Sequence, residues 1–235
     1  MISPFEVIYE DNHLLVINKK SGIPSQSDLT GDLAVTDYAK SYLQKKYNKP
    51  GNVFCGLIHR LDRPVSGVMV LAKTSKALAR MNEIFRSRKI NKVYLAIADA
   101  SPQLPSGKLV HWLVKNVKTN VARVYGREVK HSSRAELEYK LIATLEDKSL
   151  IEVQPLTGRG HQIRAQLAAM GCPIRGDVKY GSKVRETPGS ICLHAYRLEF
   201  EHPVQRKPIV FTAPPPYENA AWKTFASLIE KLSAS

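Results

Sequence analysis

Residues 59–67 read HRLDRPVSG. One acid, Asp62, stands among three basic side chains, His59, Arg60 and Arg63. Positive neighbours favour the ionised carboxylate, so Asp62 is a candidate nucleophile or base. Pro64, Ser66 and Gly67 interrupt regular structure, and the apolar run VMVLAK (68–73) follows at strand length. A loop braced by a buried strand holds its side chains well for binding or chemistry. The competing reading is a loop aspartate that makes a turn or a surface ion pair. A second stretch, LTGRGHQIRAQLAAMGCPIRGDVKYG (156–181), turns at Thr157, Gly158 and Gly160 and enters a helix. Arg159, His161 and Arg164 gather at the helix start, whose N-terminus attracts anions. Ile163, Leu167 and Met170 suit a core face. Arg164 flanks that stripe, so it is expected to be partly buried and to want a carboxylate, for which Asp62 is available. The third candidate is Tyr94 in KVYLAIAD (92–99), on one strand face with Lys92 and Ala96. It fits a core tyrosine, and equally a ring lining a pocket for a planar ligand.

Other chemistries lack their residues. Neither paired carboxylates nor a metal-ligating cluster is visible, and GRGHQ lacks the spacing of a phosphate loop. Ser66 has no His and Asp partners at recognisable spacing for a serine hydrolase. An acid, one or two arginines and an aromatic suit a reaction with no cofactor and no metal. The three cysteines, Cys55, Cys172 and Cys192, are sparse and lack CxxC spacing, which argues against a disulfide framework and a structural zinc site. The expected compartment is a reducing cytoplasm. The start, MISPFEVIYEDNHLL, has no signal-peptide pattern, and no window approaches a membrane span.

The elements that must position these residues follow from periodicity. EVIYEDNHLLVINK (6–19) reads as two strands around an Asp-Asn turn. A helix is expected over 34–47, capped by Thr36, with Ala39, Leu43 and Tyr47 on one stripe. Residues 75–90 read as a second helix, started by Thr74 or Ser75. Its apolar face carries Leu78, Met81, Ile84 and Phe85, and its other face is basic, with Lys76, Arg80, Arg86, Arg88 and Lys89. Strands are expected at 92–99, at 134–144 and 149–155 as a hairpin, at 193–200 and at 209–213. A helix occupies 161–170, and a closing helix 217–232 buries Trp222, Phe225, Leu228, Ile229 and Leu232. Without regular β-α alternation, the fold class is α+β with a mixed, largely antiparallel sheet, in a single domain over 1–235. The 235 residues carry 35 Lys+Arg against 21 Asp+Glu, a net charge of +14, which points to a polyanionic partner and first to nucleic acid.

Taken together, HRLDRPVSGVMVLAKT (59–74), KVYLA (92–96) and the 156–181 stretch resemble the RluA-type family of RNA pseudouridine synthases. Weaker agreement lies in IYEDNHLLVINKKSG (8–22) and CLHAYRLEFEHP (192–203), so the similarity spans nearly the whole chain. It implies an isomerase that breaks the bond from ribose C1′ to uracil N1, turns the base and rejoins C1′ to C5. On this resemblance Asp62 is the catalytic carboxylate, attacking C1′ or taking a ribose proton; Arg164 holds it ionised. Tyr94 packs on the flipped uracil, and Arg60 fills the gap left in the RNA stack. Leu167 and Leu61 line the base pocket. His59, Arg63, Arg159, His161, Gln162 and Arg80 are expected on the RNA side. Lys115, Lys118, Arg123, Arg127 and Lys130 are further candidates for phosphate contacts. Two departures stand out: Gly160 where many relatives carry Thr, and Arg-Pro-Val at 63–65 where many read Arg-Asp-Thr. The small RNA-binding domain that precedes many relatives' catalytic domain is expected to be absent here.

The substrate implied is structured RNA, ribosomal or transfer, bound by a monomer. The alternative is a non-catalytic RNA-binding protein of the same fold. A glycosidase ranks last, because it normally needs a second, suitably placed acid.

Overall fold

Apolar residues alternate in FEVIYE and run nearly unbroken through LLVINK, and these become strands β1 (Phe5–Glu10) and β2 (Leu14–Lys19). The computed structural model describes residues 3–27 and 31–233. After β2 come helix α1 (Val35–Lys46), the short strand β3 (Gly56–Leu57), strand β4 (Ser66–Ala72) and helix α2 (Ser75–Arg86). Strands β5 (Ile90–Ala98), β6 (Ser106–Asn116), β7 (Val121–Tyr125), β8 (Ser133–Leu145) and β9 (Lys148–Pro155) lead to helix α3 (Gln162–Ala169). Strands β10 (Leu193–Glu201) and β11 (Pro208–Thr212) and helices α4 (Ala220–Thr224) and α5 (Ala226–Ser233) complete the chain. The fold is α+β with a mixed, largely antiparallel sheet, as expected.

The chain forms two compact units, one up to Asn91 with Ala195–Pro214, the other Lys92–His194 with Pro215 onward. In the first, β1 pairs with β2, β2 with β4 and β10 with β11, all antiparallel. All seven residues of β4 are buried, which is why its sequence runs apolar without alternation. Leu14 and Val16 of β2, Val68 and Val70 of β4, Met81 of α2 and Phe200 and Phe211 form one core cluster. Each such side chain contributes about 1.5–3 kcal/mol by leaving water. In the second unit β5 pairs with β9, β9 with β8, β8 with β6 and β6 with β7, again antiparallel. Leu113, Ala122, Ala135 and Ala165 pack there, joining the sheet to α3.

Several local expectations need correction. Helix α1 is preceded by Ala34 at its N-cap, whose amide donates to the Asp37 carboxylate at 3.0 Å; Thr36 lies inside the first turn instead of capping it. Tyr47 is 46% exposed and lies outside the core stripe of Val35, Ala39 and Leu43. Helix α2 does begin on Thr74, whose side chain accepts from the Ala77 amide, but it ends at Arg86. Arg88 adopts a left-handed φ of 57° and turns the chain into β5, which a helix to residue 90 would forbid. The closing helix breaks at Phe225 into α4 and α5. Strands β6 and β7 fall in a segment where no strand was expected; partial exposure along β6 leaves no clean apolar alternation to read.

Candidate active site

In the first unit the site residues sit on the loop between β3 and β4. Its backbone is held from three directions. The Ser25 hydroxyl donates to the Leu61 carbonyl at 2.7 Å and accepts from the Leu61 amide. The Gly22 amide donates to the Arg63 carbonyl. Beneath the loop lies Lys19, with no solvent exposure at all. Its ammonium donates to the carbonyls of Lys20 at 2.9 Å, Arg63 at 3.2 Å and Val65 at 2.8 Å. A buried ammonium needs such acceptors, because desolvation otherwise drives it neutral. Burial pulls the Lys19 pKa down to about 7; the Asp62 carboxylate opposes that shift and the Arg63 charge adds to it. Asp62 is half-buried, and its own carbonyl accepts from the Val65 amide at 3.0 Å, closing the turn.

Gly67 begins the exit from this loop with φ +117°, and a Cβ there would collide with the Ala195 backbone. Only glycine fits so close an approach at positive φ. The loop's other candidates have assorted placements. Arg60 is exposed and Leu61 is buried. Arg63 braces its surroundings: Nε donates to the Gly22 carbonyl, and a terminal nitrogen lies 2.6 Å from the Asp32 carboxylate. His59 stacks on Phe85 at 4.9 Å between ring centroids, and its Nε2 accepts from the Val70 amide. Arg80 of α2 donates to the Pro203 carbonyl at 3.1 Å.

The second unit holds the other expected residues. Tyr94 is half-buried on β5, opposite Val153 of β9. The turn before α3 is tied by Gln162, whose Oε1 accepts from the Thr157 hydroxyl at 2.7 Å and the Arg159 amide at 3.0 Å. Its Nε2 donates to the Glu136 carbonyl. Arg159 is exposed and donates from Nε to the Arg134 carbonyl. His161 has a left-handed φ of 58° at the helix start and is buried. Leu167 is fully buried. Over Gly160, a Cβ would stand 3.3 Å from the Lys115 ammonium, so that side chain roofs the position.

Arg164 is buried, more fully than the partial burial expected of a residue flanking the apolar stripe. Within its own unit it is gripped in two-pronged fashion by Asp177: Nε to Oδ2 at 2.6 Å and Nη2 to Oδ1 at 2.9 Å. Its guanidinium carbon also lies 5.1 Å from the centre of the Tyr180 ring. Sequence reasoning assigned no role to Lys19, Asp177 or Tyr180. Asp177 and Tyr180 lie inside the 156–181 stretch, but no local period marks a residue beyond the helix as a partner of one within it. Lys19 ends an apolar strand, and its inward course is decided by the carbonyls it meets. Among the described residues no group of three or more His, Cys, Asp or Glu is placed to hold a metal ion. None of their helices is long and apolar enough to cross a membrane.

The sequence pattern of the family described as RNA pseudouridylate synthase matches residues 13–169. The chain is 34% identical over 223 residues to ribosomal large subunit pseudouridine synthase C of Rickettsia typhi, covering 90% of this chain and 68% of that one. It is 31% identical over 229 residues to ribosomal large subunit pseudouridine synthase D of Zymomonas mobilis, covering 92% and 70%. Against synthase C of Buchnera aphidicola the coverage is 88% of this chain and 66% of that one, so the chain spans about two thirds of these relatives. The solved structure of human RNA pseudouridylate synthase domain containing 4 superposes with a TM-score of 0.77 at 24% identity, over 94% of this chain and 92% of that one. Its domain containing 1 counterpart gives 0.75 at 21% identity, over 100% and 97%.

Proposed function

Because the chain belongs to the RNA pseudouridylate synthase family, a family of isomerases that act on RNA, we propose that it converts specific uridines of structured RNA to pseudouridine, with Asp62 as its catalytic carboxylate. The names of the relatives direct the proposal to ribosomal RNA ahead of transfer RNA. In this reading the chain acts in the cytoplasm as a monomeric, single catalytic domain without a cofactor.

The observation that carries the proposal is the half-buried Asp62 on a loop whose backbone a wholly buried ammonium secures. A carboxylate meant to meet ribose C1′ or a ribose proton must stay ionised and must not wander. A uracil within a stem is inaccessible and must leave the stack, at a cost of a few kcal/mol. The net charge of +14 supplies phosphate attraction to offset that cost, and the exposed Arg60 is suited to fill the vacated place. The family resemblance assigns Tyr94 to the face of the extruded base and Arg164 to the counter-charge of Asp62. Glycosidic cleavage, rotation of the base and closure to C5 then need no group beyond those the chain provides.

The test uses RNA labelled with tritium at uridine C5, because joining C1′ to C5 releases that label to water. The wild-type protein releases it, and Asp62→Asn slows release by about a thousandfold or more. Full release by Asp62→Asn would remove the proposed catalyst. RNA binding by the wild type without release would favour the non-catalytic reading. Mapping pseudouridines in cells with and without the protein identifies the RNA, and a transfer-RNA position would redirect the substrate.

A further inference from the structure

Arg164 is 5% exposed and Asp177 2% exposed, so both charges of this pair have left water. Burying an ion pair gains little stability over an apolar pair of the same volume. The arrangement does give direction. Nε and Nη2 are both taken by the two oxygens of one carboxylate, which fixes the plane of the guanidinium and the heading of its opposite edge. The Tyr180 ring supplies a surface beneath that plane, 5.1 Å away. The ring is itself anchored: the Tyr180 hydroxyl accepts from the Ala122 amide at 2.8 Å and lies 2.8 Å from His161 Nδ1. Asp177 and Tyr180 belong to one tight turn, in which the Tyr180 amide donates to the Asp177 carbonyl at 2.9 Å. One turn therefore presents both a carboxylate and a ring to one arginine.

We infer that Asp177 and Tyr180 are positioning residues that aim the Arg164 guanidinium for the isomerisation, with His161 steadying Tyr180. The inference rests on the role of Arg164 proposed above. Asp177→Asn keeps the shape but replaces one acceptor oxygen with a donor, which faces an N–H and lets the guanidinium turn. Tyr180→Phe keeps the ring and removes its hydroxyl, and with it the contacts to the Ala122 amide and to His161.

The experiment measures single-turnover tritium release and RNA affinity with the full-length protein and C5-labelled RNA. Asp177→Asn is expected to slow release by about 100-fold, the effect of a misplaced group, with RNA affinity within about twofold of wild type. Tyr180→Phe is expected to slow it about tenfold, the combined worth of two modest hydrogen bonds. In an Arg164→Lys background neither change should slow release further, since both act through the guanidinium. A merely structural role would multiply the losses in that background, and this outcome overturns the inference. So does wild-type release by folded Asp177→Asn and Tyr180→Phe. If Asp177→Asn fails to fold, the Tyr180→Phe cycle decides. Absence of release by the wild type on any RNA would sink the functional reading itself; release by wild type and both variants alike would sink this inference alone.

Discussion

The loop that carries Asp62 and the helix that carries Arg164 are held in opposite ways. Under the loop, the Lys19 ammonium grips main-chain carbonyls of residues 20, 63 and 65. Around Arg164, the grip comes from side chains, Asp177 and Tyr180. A carbonyl is present whatever the side chain, so the first brace is indifferent to what stands at Pro64 or Val65. That accounts physically for how Arg-Pro-Val at 63–65, a departure from the pattern of many relatives, leaves the loop's anchorage in place. The second brace depends on the identity of each member, because among side chains only a carboxylate sets two anionic oxygens against two guanidinium N–H groups. The carboxylate loop should thus tolerate change in itself and fail when its support changes. The arginine should be sensitive to change in its partners.

Two substitutions probe the loop's side of that contrast, Asp177→Asn probes the other, and Glu10→Gln tests an ion cluster elsewhere in the first unit. The largest effect is expected from Gly67→Ala. The new Cβ meets the Ala195 backbone at a φ that L residues rarely adopt, so stability should fall by at least about 3 kcal/mol in denaturant melts. A loss below about 1 kcal/mol would show that β4 and its loop can yield, and that the brace is not rigid. Lys19→Met comes next. It removes the donor shared by three carbonyls, of which that of Arg63 keeps the Gly22 amide, but it also removes a buried charge, for a net loss of about 2 kcal/mol.

Lys19 also carries a pH signature. Its folded pKa of about 7 lies below the ordinary 10.5, so between those values the unfolded chain binds more protons. The contribution of Lys19 to stability therefore rises with pH across that window and is level above it. Melting temperatures of wild type relative to Lys19→Met should climb from pH 7 to pH 10; a flat difference would deny that the ammonium is forced out of water.

The smallest effect is expected from Glu10→Gln. Burial pushes the Glu10 carboxyl up, but hydrogen bonds from Lys46, Lys73, Tyr47 and Tyr42 outweigh it and bring the pKa to about 2. A carboxylate held below its usual 4.5 stabilises the fold above that value and loses the contribution as pH falls toward 2. Glu10→Gln should cost about 1 kcal/mol at pH 7 and nothing near pH 2. Equal destabilisation at both pH values would assign the effect to shape alone.

Much of the molecule was legible before its structure. Strands near 6–19, 68–73, 92–99 and 134–155 and a helix within 161–170 follow from apolar period, turn residues and caps, which are local properties. Asp62, Tyr94 and Arg164 stood out for the same reason: each is an unusual residue type in its immediate setting, and the family pattern runs through consecutive positions. The ends of α2 and of the last helix were misjudged because one left-handed residue, Arg88, and one break, at Phe225, override a favourable helical period. Strands β6 and β7 pair with each other as neighbours in sequence, but partial exposure along β6 leaves no apolar alternation to announce them.

The amino-acid order thus settled the family and, with it, the isomerase class, since both are written in short contiguous stretches. Tertiary structure alone decided that Lys19 turns inward to support residues 63–65 and that Asp177 closes on Arg164 thirteen positions away. Such choices depend on which buried charge finds an acceptor once the chain has collapsed, and spacing along the sequence does not encode that.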